Sequence, residues 1–333
     1  MFHFIKQIFI YKNIHIKVSN LMKIEKSSQE LENEVIYAGL CIHCGSCNAF
    51  CPHMDFNEET GQAYVVDECA ETVGLCYNAC PRSFLPVSEI ERKMFGQNRV
   101  DLAVGVYKDI IQVKSKNKDE LLYNLVSAAF DSGIVKHFVL SKPKSKKPPV
   151  AFPVVVDSAK DAKQYIPTNP NQNAGPLITG IGRAYLDRKR DIGIIANPCH
   201  LQGLAKILTS DFNTGAERTS LKIAFACSSG GMAGCKYCTD YSGEFSDISY
   251  SPWGAPKGSG ESFLIVRTDV GQKVVDHAIK MKLIEITNKE PDLSEMKKFI
   301  DKKRKKNFLN LLGRDLITAK YLHLNIDEFK DIL

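Results

Sequence analysis

CIHCGSCNAFCP (41–52) sets Cys41, Cys44, Cys47 and Cys51 at C-x2-C-x2-C-x3-C spacing and closes on a proline. Three thiolates at two-residue gaps wrap one iron-sulfur cubane, while the fourth, held back by the Pro52 turn, reaches toward a neighbouring cluster. Gly45, Ser46 and Ala49 are small enough for the backbone to close on the sulfurs, where amide N–H groups stabilise an anionic cluster. A zinc site uses tetrahedral pairs of ligands and gains nothing from a terminal Cys-Pro.

Working outward, DECAETVGLCYNACPR (67–82) keeps the closing C-x3-C-P but supplies no thiol between Cys69 and Cys76. Sharing by crossover assigns Cys41, Cys44, Cys47 and Cys80 to one cluster. Cys51, Cys69 and Cys76 go to a second, completed by a non-cysteine ligand or left with a labile iron. The first run is that of bacterial-type ferredoxins, so residues 32–98 are expected to form a ferredoxin-like 4Fe-4S domain. Its parts are a helix over 22–40, a polar hairpin around Glu59, Thr60 and Gly61, and a linker helix over 86–98. Residues 1–31 are an extension of unclear role. Lysines and a histidine interrupt its first 21 residues and no small-residue cleavage site follows, so no secretory signal is expected.

From Asp101 the pattern changes to short apolar runs separated by helical periodicity, which predicts an α/β domain over 99–290. Strands are expected at 104–113, 134–140, 154–158, 191–196, 221–227 and 261–268. Helices are expected over 119–132, 173–190 and 200–208, and again after 271. SKPKSKKPPV (141–150) reads as a basic, proline-rich loop, either solvated or attracting an anion. Residues 291–333 form a helical tail whose Lys-rich helix, 292–312, is expected to present a solvated basic face or a docking surface.

A third set of thiols falls in the α/β domain. Cys199 and Cys227 close the strands IIANPC and IAFAC, and Cys235 and Cys238 follow in the next loop. Loops at the carboxyl ends of such strands are where these folds build sites, so the four are expected to share a third cubane. A structural zinc or unrelated buried thiols are the alternatives. Three cubanes want about 12 thiolates; the chain has 11, and the shortfall falls on the irregular second loop. Gly230, Gly231 and Gly234 either form an anion nest or let Cys227 and Cys235 reach one cluster. His200, beside Cys199, is a candidate proton donor or a polar cap.

The whole composition narrows the class. At about 100 to 200 residues per domain, 333 residues make two or three domains. A hydrophobic content of 44%, 25% charged residues and negative mean hydropathy describe a soluble protein. No run approaches the ~18 apolar residues of a membrane span. The charge of +6 is too mild to point to nucleic acid. Seven cysteines in 41–80 and four in 199–238 leave an odd total in close C-x-x-C pairs. That pattern suits metal capture in a reducing cytoplasm better than disulfides.

CYNACPR (76–82), VGVYKDI (104–110), IIANPCHLQGL (194–204), CKYCTDYSGEFSDIS (235–249) with Glu244 and Asp247, and GESFLIVRTDVGQ (260–272) follow one another in an order that resembles the beta subunit family of coenzyme F420-dependent hydrogenases and dehydrogenases. The resemblance covers roughly residues 32–306. It implies an oxidoreductase of anaerobic, archaeal-type metabolism that carries FAD beside a cubane and passes electrons between coenzyme F420, its substrate, and one-electron clusters. It also implies a hetero-oligomer with a redox partner of hydrogenase, formate dehydrogenase, heterodisulfide reductase or sulfite reductase type. Gly254, Gly258, Gly260, Ser262 and Arg267 are the candidates for facing the dinucleotide's phosphates, unless they are only a loop before an edge strand.

Two departures matter. KDELLYNLVSAAF (118–130) stands where the family has a double-glycine turn, and only SSGGMAG (228–234) separates Cys227 from the C-x-x-C. A flavin-free 4Fe-4S electron relay and a zinc-stabilised interaction module are therefore carried as alternatives.

Overall fold

The computed structural model of the chain describes residues 24–67, 69–116, 120–146, 149–212, 214–255, 259–313 and 329–332. The expectations for residues 1–21, for Gly258 and for 314–328 lie outside the described residues.

The cysteine-rich segment is small because its core is mostly sulfur and a few apolar side chains. A turn of helix at Ser28–Leu31 continues with π geometry over Glu32–Ile36, so the described part of the helix expected over 22–40 is shorter than its periodicity suggests. Leu31, Val35, Ile36 and Leu40 bury against Tyr77, Phe84 and the thiols of Cys47, Cys76 and Cys80. Strands β1 (Met54–Phe56) and β2 (Ala63–Val65) pair antiparallel as the expected hairpin. Its turn is set by the Asn57 carboxamide oxygen, which accepts the N–H groups of Glu59 and Thr60. Helix α1 (Val87–Phe95) is the linker.

The remainder is one eight-stranded sheet. In chain order its elements are β3 (Asp109–Ser115), α2 (Leu121–Asp131), β4 (His137–Lys146), β5 (Pro149–Val156), α3 (Thr179–Leu186), β6 (Ile192–Ala196), α4 (Pro198–Thr209), β7 (Thr219–Phe225), β8 (Ile248–Ser251), β9 (Glu261–Val266), α5 (Asp269–Lys280), β10 (Ile284–Asn288) and α6 (Ser294–Leu312). The strand order is β10-β3-β9-β8-β7-β6-β4-β5. β4, β6, β7 and β8 run parallel, and the strands outside them pair antiparallel.

Period-two alternation explains the two layers of helices. Phe138, Leu140, Ile195, Leu221, Ile223 and Phe225 point to the face covered by α2 and α5. Val139, Ile192, Ile194, Ala196 and Ala224 point to the face covered by α3 and α4. Buried on both faces, β6 reads as a continuous apolar run. No helix among the described residues is long and apolar enough to cross a membrane.

Two expectations are corrected. The described residues of 141–150 are not a loop: 141–146 and 149–150 belong to the antiparallel pair β4/β5 at the sheet edge. There Pro149 and Pro153 cost no ladder bond toward a further strand, and Pro143 sits at a register shift. The Lys-rich helix α6 is not uniformly solvated. Its Lys303, Arg304 and Asn307 are buried, as are Met296, Ile300 and Leu311. Phe329 returns to stack on Phe308, with ring centroids 4.4 Å apart, and Asp331 pairs with Arg304 at 2.6 Å.

Candidate metal centres

Crowding thiols together away from water disfavours their charged forms, and that cost is largest where a cavity has to be lined by sulfur. Cys41, Cys44, Cys47 and Cys80 line one cavity of about 400 Å³, walled also by Leu31, Val35, Ile42 and Pro176. Burial, with a contribution from neighbouring thiols, pushes Cys41 up to about 12 and Cys44 up to about 11, and holds Cys47 and Cys80 above the usual thiol range. Such a set is poor at remaining ionised by itself and gains by surrounding a cationic core. Local donors are already aimed at the sulfurs: the Arg82 N–H lies 3.4 Å from Cys80 Sγ, and Cys44 Sγ lies 3.3 Å from Ser46 Oγ.

Cys199, Cys227, Cys235 and Cys238 line a second cavity, of about 280 Å³, with Ile42, Asn197, Gly230, Met232 and Lys303. The parallel strands deliver two of them. β6 ends at Ala196, Asn197 caps α4, and Pro198 opens the helix so that Cys199 falls in its first turn. β7 ends two residues before Cys227. A 3-10 turn at Ala233–Tyr237 brings Cys235 and Cys238 opposite, where the Gly230 N–H donates to Cys235 Sγ at 3.3 Å. Burial raises Cys227 to about 12 and Cys199 well above its ordinary value, with repulsion from Cys238 and Cys235 adding to both. His200 is fully buried, with Nε2 2.9 Å from the Gly175 carbonyl, and burial pulls it down to about 4. A neutral imidazole held there has a structural partner, and Asn197, not His200, occupies the cap position.

The two cavities adjoin. Ile42 lines both, and Ile42, Cys44 and Cys199 pack together as a buried group. Two glycines permit this approach. A Cβ on Gly234 would stand 2.3 Å from the Leu40 carbonyl oxygen and 2.5 Å from that of Cys41. One on Gly203 would stand 1.9 Å from Ser46 Oγ. These residues press the 233–237 turn and helix α4 onto the first cysteine loop, so Gly234 serves close packing and not only an anion nest.

The remaining N-terminal thiols lie on the outer side. Cys51 and Cys76 share a hydrogen bond that lowers Cys51 and raises Cys76. Cys69 is half-buried in the loop leading to Cys76. Beside Cys51, His53 Nδ1 lies 2.7 Å from the Asp67 carboxylate.

No three His, Cys, Asp or Glu side chains among the described residues are grouped to hold a single metal ion. Four thiols distributed around each cavity wall fit a polynuclear iron-sulfur cluster, with an iron at each sulfur, better than one tetrahedral zinc.

Two buried lysines, unread in the sequence, attend these cavities. Lys206 of α4 donates to the carbonyls of Cys80 (2.5 Å) and Phe84 (2.8 Å) and sits 3.5 Å from the Phe84 ring centroid. Burial pulls it down to about 7. Lys303 of α6 donates to the carbonyls of Cys227 (2.5 Å) and Asp240 (2.6 Å).

The residues marked for a dinucleotide's phosphates do not assemble into such a site. Arg267 is 2% exposed. Its guanidinium is spent on the carbonyls of Val104 and Val106 and on the hydroxyls of Ser242 and Ser249. Ser262 lies in β9, paired with Val113 of β3. Gly254 adopts φ 96° against the backbone of Met296 in α6, and Gly260 adopts φ 72° before β9. Glu244 accepts from Arg99 at 2.6 Å and Asp247 pairs with Lys222 at 2.8 Å, so both carboxylates cross-link the fold.

Residues 228–292 match the family that describes the C terminus of the coenzyme F420 hydrogenase/dehydrogenase beta subunit, and residues 34–81 match a 4Fe-4S dicluster domain. An uncharacterized protein of Methanocaldococcus jannaschii is 24% identical over 86% of this chain and 99% of its own length. The coenzyme F420-dependent sulfite reductase of that organism is 22% identical over 83% of this chain, which spans only 52% of the reductase. The coenzyme F420 hydrogenase subunit beta of Methanothermobacter thermautotrophicus is 23% identical over 64% of this chain and 97% of its own. Among solved structures, a chain of the F420-reducing [NiFe] hydrogenase complex from Methanosarcina barkeri superposes with a TM-score of 0.57 at 18% identity. The superposition covers 65% of this chain and 95% of that one, and it supports the shared fold.

Proposed function

The chain belongs, through residues 228–292 behind a 4Fe-4S dicluster segment, to the coenzyme F420 hydrogenase/dehydrogenase beta subunit family, and from that premise we propose that it is an iron-sulfur oxidoreductase subunit. It exchanges electrons with coenzyme F420 and passes them through 4Fe-4S clusters to a partner redox enzyme. The observation that carries this reading is the shared wall: two cavities, each lined by four cysteines, with Ile42 facing into both.

Clusters bound there supply one-electron storage. The chain's own residues do the rest. Cys199, Cys227, Cys235 and Cys238 bind the inner cluster, and Cys41, Cys44, Cys47 and Cys80 bind the next. The N–H groups of Arg82 and Gly230 stabilise charge on the sulfurs. Ile42 fills the space between the cavities with hydrocarbon, which excludes water from the path. Cys51, Cys69 and Cys76 lie beyond, with Cys51 and Cys69 less buried than Cys76, and so form the exit toward a partner of hydrogenase, formate dehydrogenase, heterodisulfide reductase or sulfite reductase type. The working form is thus a cytoplasmic hetero-oligomer.

A hydride carrier and a one-electron cluster need a two-electron mediator between them, the role FAD would fill. Gly254, Gly260, Ser262 and Arg267 do not build its phosphate site, so no step is assigned to flavin. That observation favours a second reading, a flavin-free relay. Anaerobically purified protein carrying three clusters should hold about 10 to 12 irons, and addition of reduced coenzyme F420 should generate the electron paramagnetic resonance signals of reduced clusters. Clusters that dithionite reduces but coenzyme F420 does not, in protein whose acid extract shows no flavin fluorescence, would establish the relay. Stoichiometric zinc without iron would sink both readings and leave the zinc-stabilised module.

A further inference from the structure

Lys303 stands out from its helix because everything around it belongs to the inner cysteine cavity. It is 7% exposed and lines that cavity together with all four thiols. Its Nζ is 2.5 Å from the Cys227 carbonyl and 2.6 Å from the Asp240 carbonyl. One turn further along α6, Asn307 Nδ2 donates to the carbonyls of Cys235 (3.1 Å) and Cys238 (2.6 Å). The helix thus straps both halves of the ligand set through backbone oxygens.

Asn307 shows that a neutral donor suffices for strapping. A buried ammonium costs far more to desolvate than a carboxamide, so the strap alone does not account for a lysine at 303. What the lysine adds is a fixed positive charge at the cavity wall. The nearest fixed negative charge is turned elsewhere: the Asp240 carboxylate accepts the N–H groups of Gly243 (2.8 Å) and Glu244 (3.2 Å).

We propose that Lys303 is a positioning residue whose charge raises the reduction potential of the cluster held by Cys199, Cys227, Cys235 and Cys238. One-electron reduction adds one negative charge inside the cavity without making or breaking a bond. A cation at the wall stabilises the reduced cluster more than the oxidised one in a low-dielectric interior. The inner cluster then accepts electrons readily from the carrier side, and Lys303 sets how strongly it holds them. The inference rests on the iron-sulfur reading of this site.

The test is a redox titration of the cluster-loaded protein, followed by electron paramagnetic resonance, on wild type, Lys303→Met, Lys303→Gln and Lys303→Arg. In K303M and K303Q the inner cluster's midpoint should fall by at least the equivalent of a tenfold change in its oxidised-to-reduced ratio, about 59 mV for one electron. K303R should stay near wild type, and the N-terminal clusters should not move in any variant. An unmoved midpoint in K303Q, or a fall in K303R equal to that in K303M, overturns the proposal. If K303M fails to assemble, K303Q and K303R carry the same comparison. A wild-type protein with no signal that Cys235→Ala removes would instead overturn the cluster reading itself.

Discussion

A thiol that lines a cavity can be removed without disturbing a distant one, and the ligand sets make separable demands. Cys235 contributes only to the inner cavity. Cys235→Ala is expected to lower the iron content by about four per chain while the N-terminal signals persist. Unchanged iron in that variant would mean the four thiols do not share a metal. At Gly234 a side chain would meet the backbone of Leu40 and Cys41, so Gly234→Val should cost about 1–3 kcal/mol by overpacking, read by denaturant unfolding. It should also loosen both cavities, since the same turn supports both. The grouping of thiols could be read from their spacing and from their place at strand ends. Lys303 and Asn307 could not be, because a helix with so many lysines reads as a solvated face. A signal was nonetheless present: 296, 300, 303, 307 and 311 recur at helical spacing, and the two polar members of that inward stripe are the residues that strap the cluster loop.

Among the elements, the strands of the parallel core were legible as apolar runs of five to seven residues because both faces are buried. The β4/β5 hairpin was not, since lysines and prolines are tolerated only where a strand lies at an edge, and no local pattern says where the edge will be. The flavin candidates were misplaced for a related reason. A glycine-rich loop before a strand looks the same whether it cradles phosphate or lets α6 approach, and Arg267 is consumed by internal acceptors that lie far away in sequence. Helix α1 is held to the sheet domain by a buried charge bridge in which Arg99 joins Glu91 and Glu244, each at 2.6 Å. Replacing Arg99 with methionine leaves two buried carboxylates facing each other and should destabilise the fold by about 3–5 kcal/mol, measurable as a lowered denaturant midpoint. A change of less than about 1 kcal/mol, the scale of an exposed pair, would show that the bridge is solvated in solution.

For the whole molecule, the ferredoxin-like segment and the α/β sheet are not independent beads. The cysteine loop at 41–52 rests on α3 and α4, helix α6 closes the inner cavity from the other side, and Ile42 is common to both cavities. That packing makes the chain a conductor with an inner end in the sheet and an outer end near Cys51 and Cys69. The claim is tested most directly by the electron paramagnetic resonance spectrum of the fully reduced, cluster-loaded chain. Two reduced clusters separated by little more than one isoleucine side chain must interact magnetically. Wild type should therefore show broadened or split signals that simplify when Cys235→Ala removes the inner cluster. Sharp, superimposable spectra in the two proteins, with the inner cluster present in wild type, would contradict the shared-wall arrangement and the electron path drawn through it.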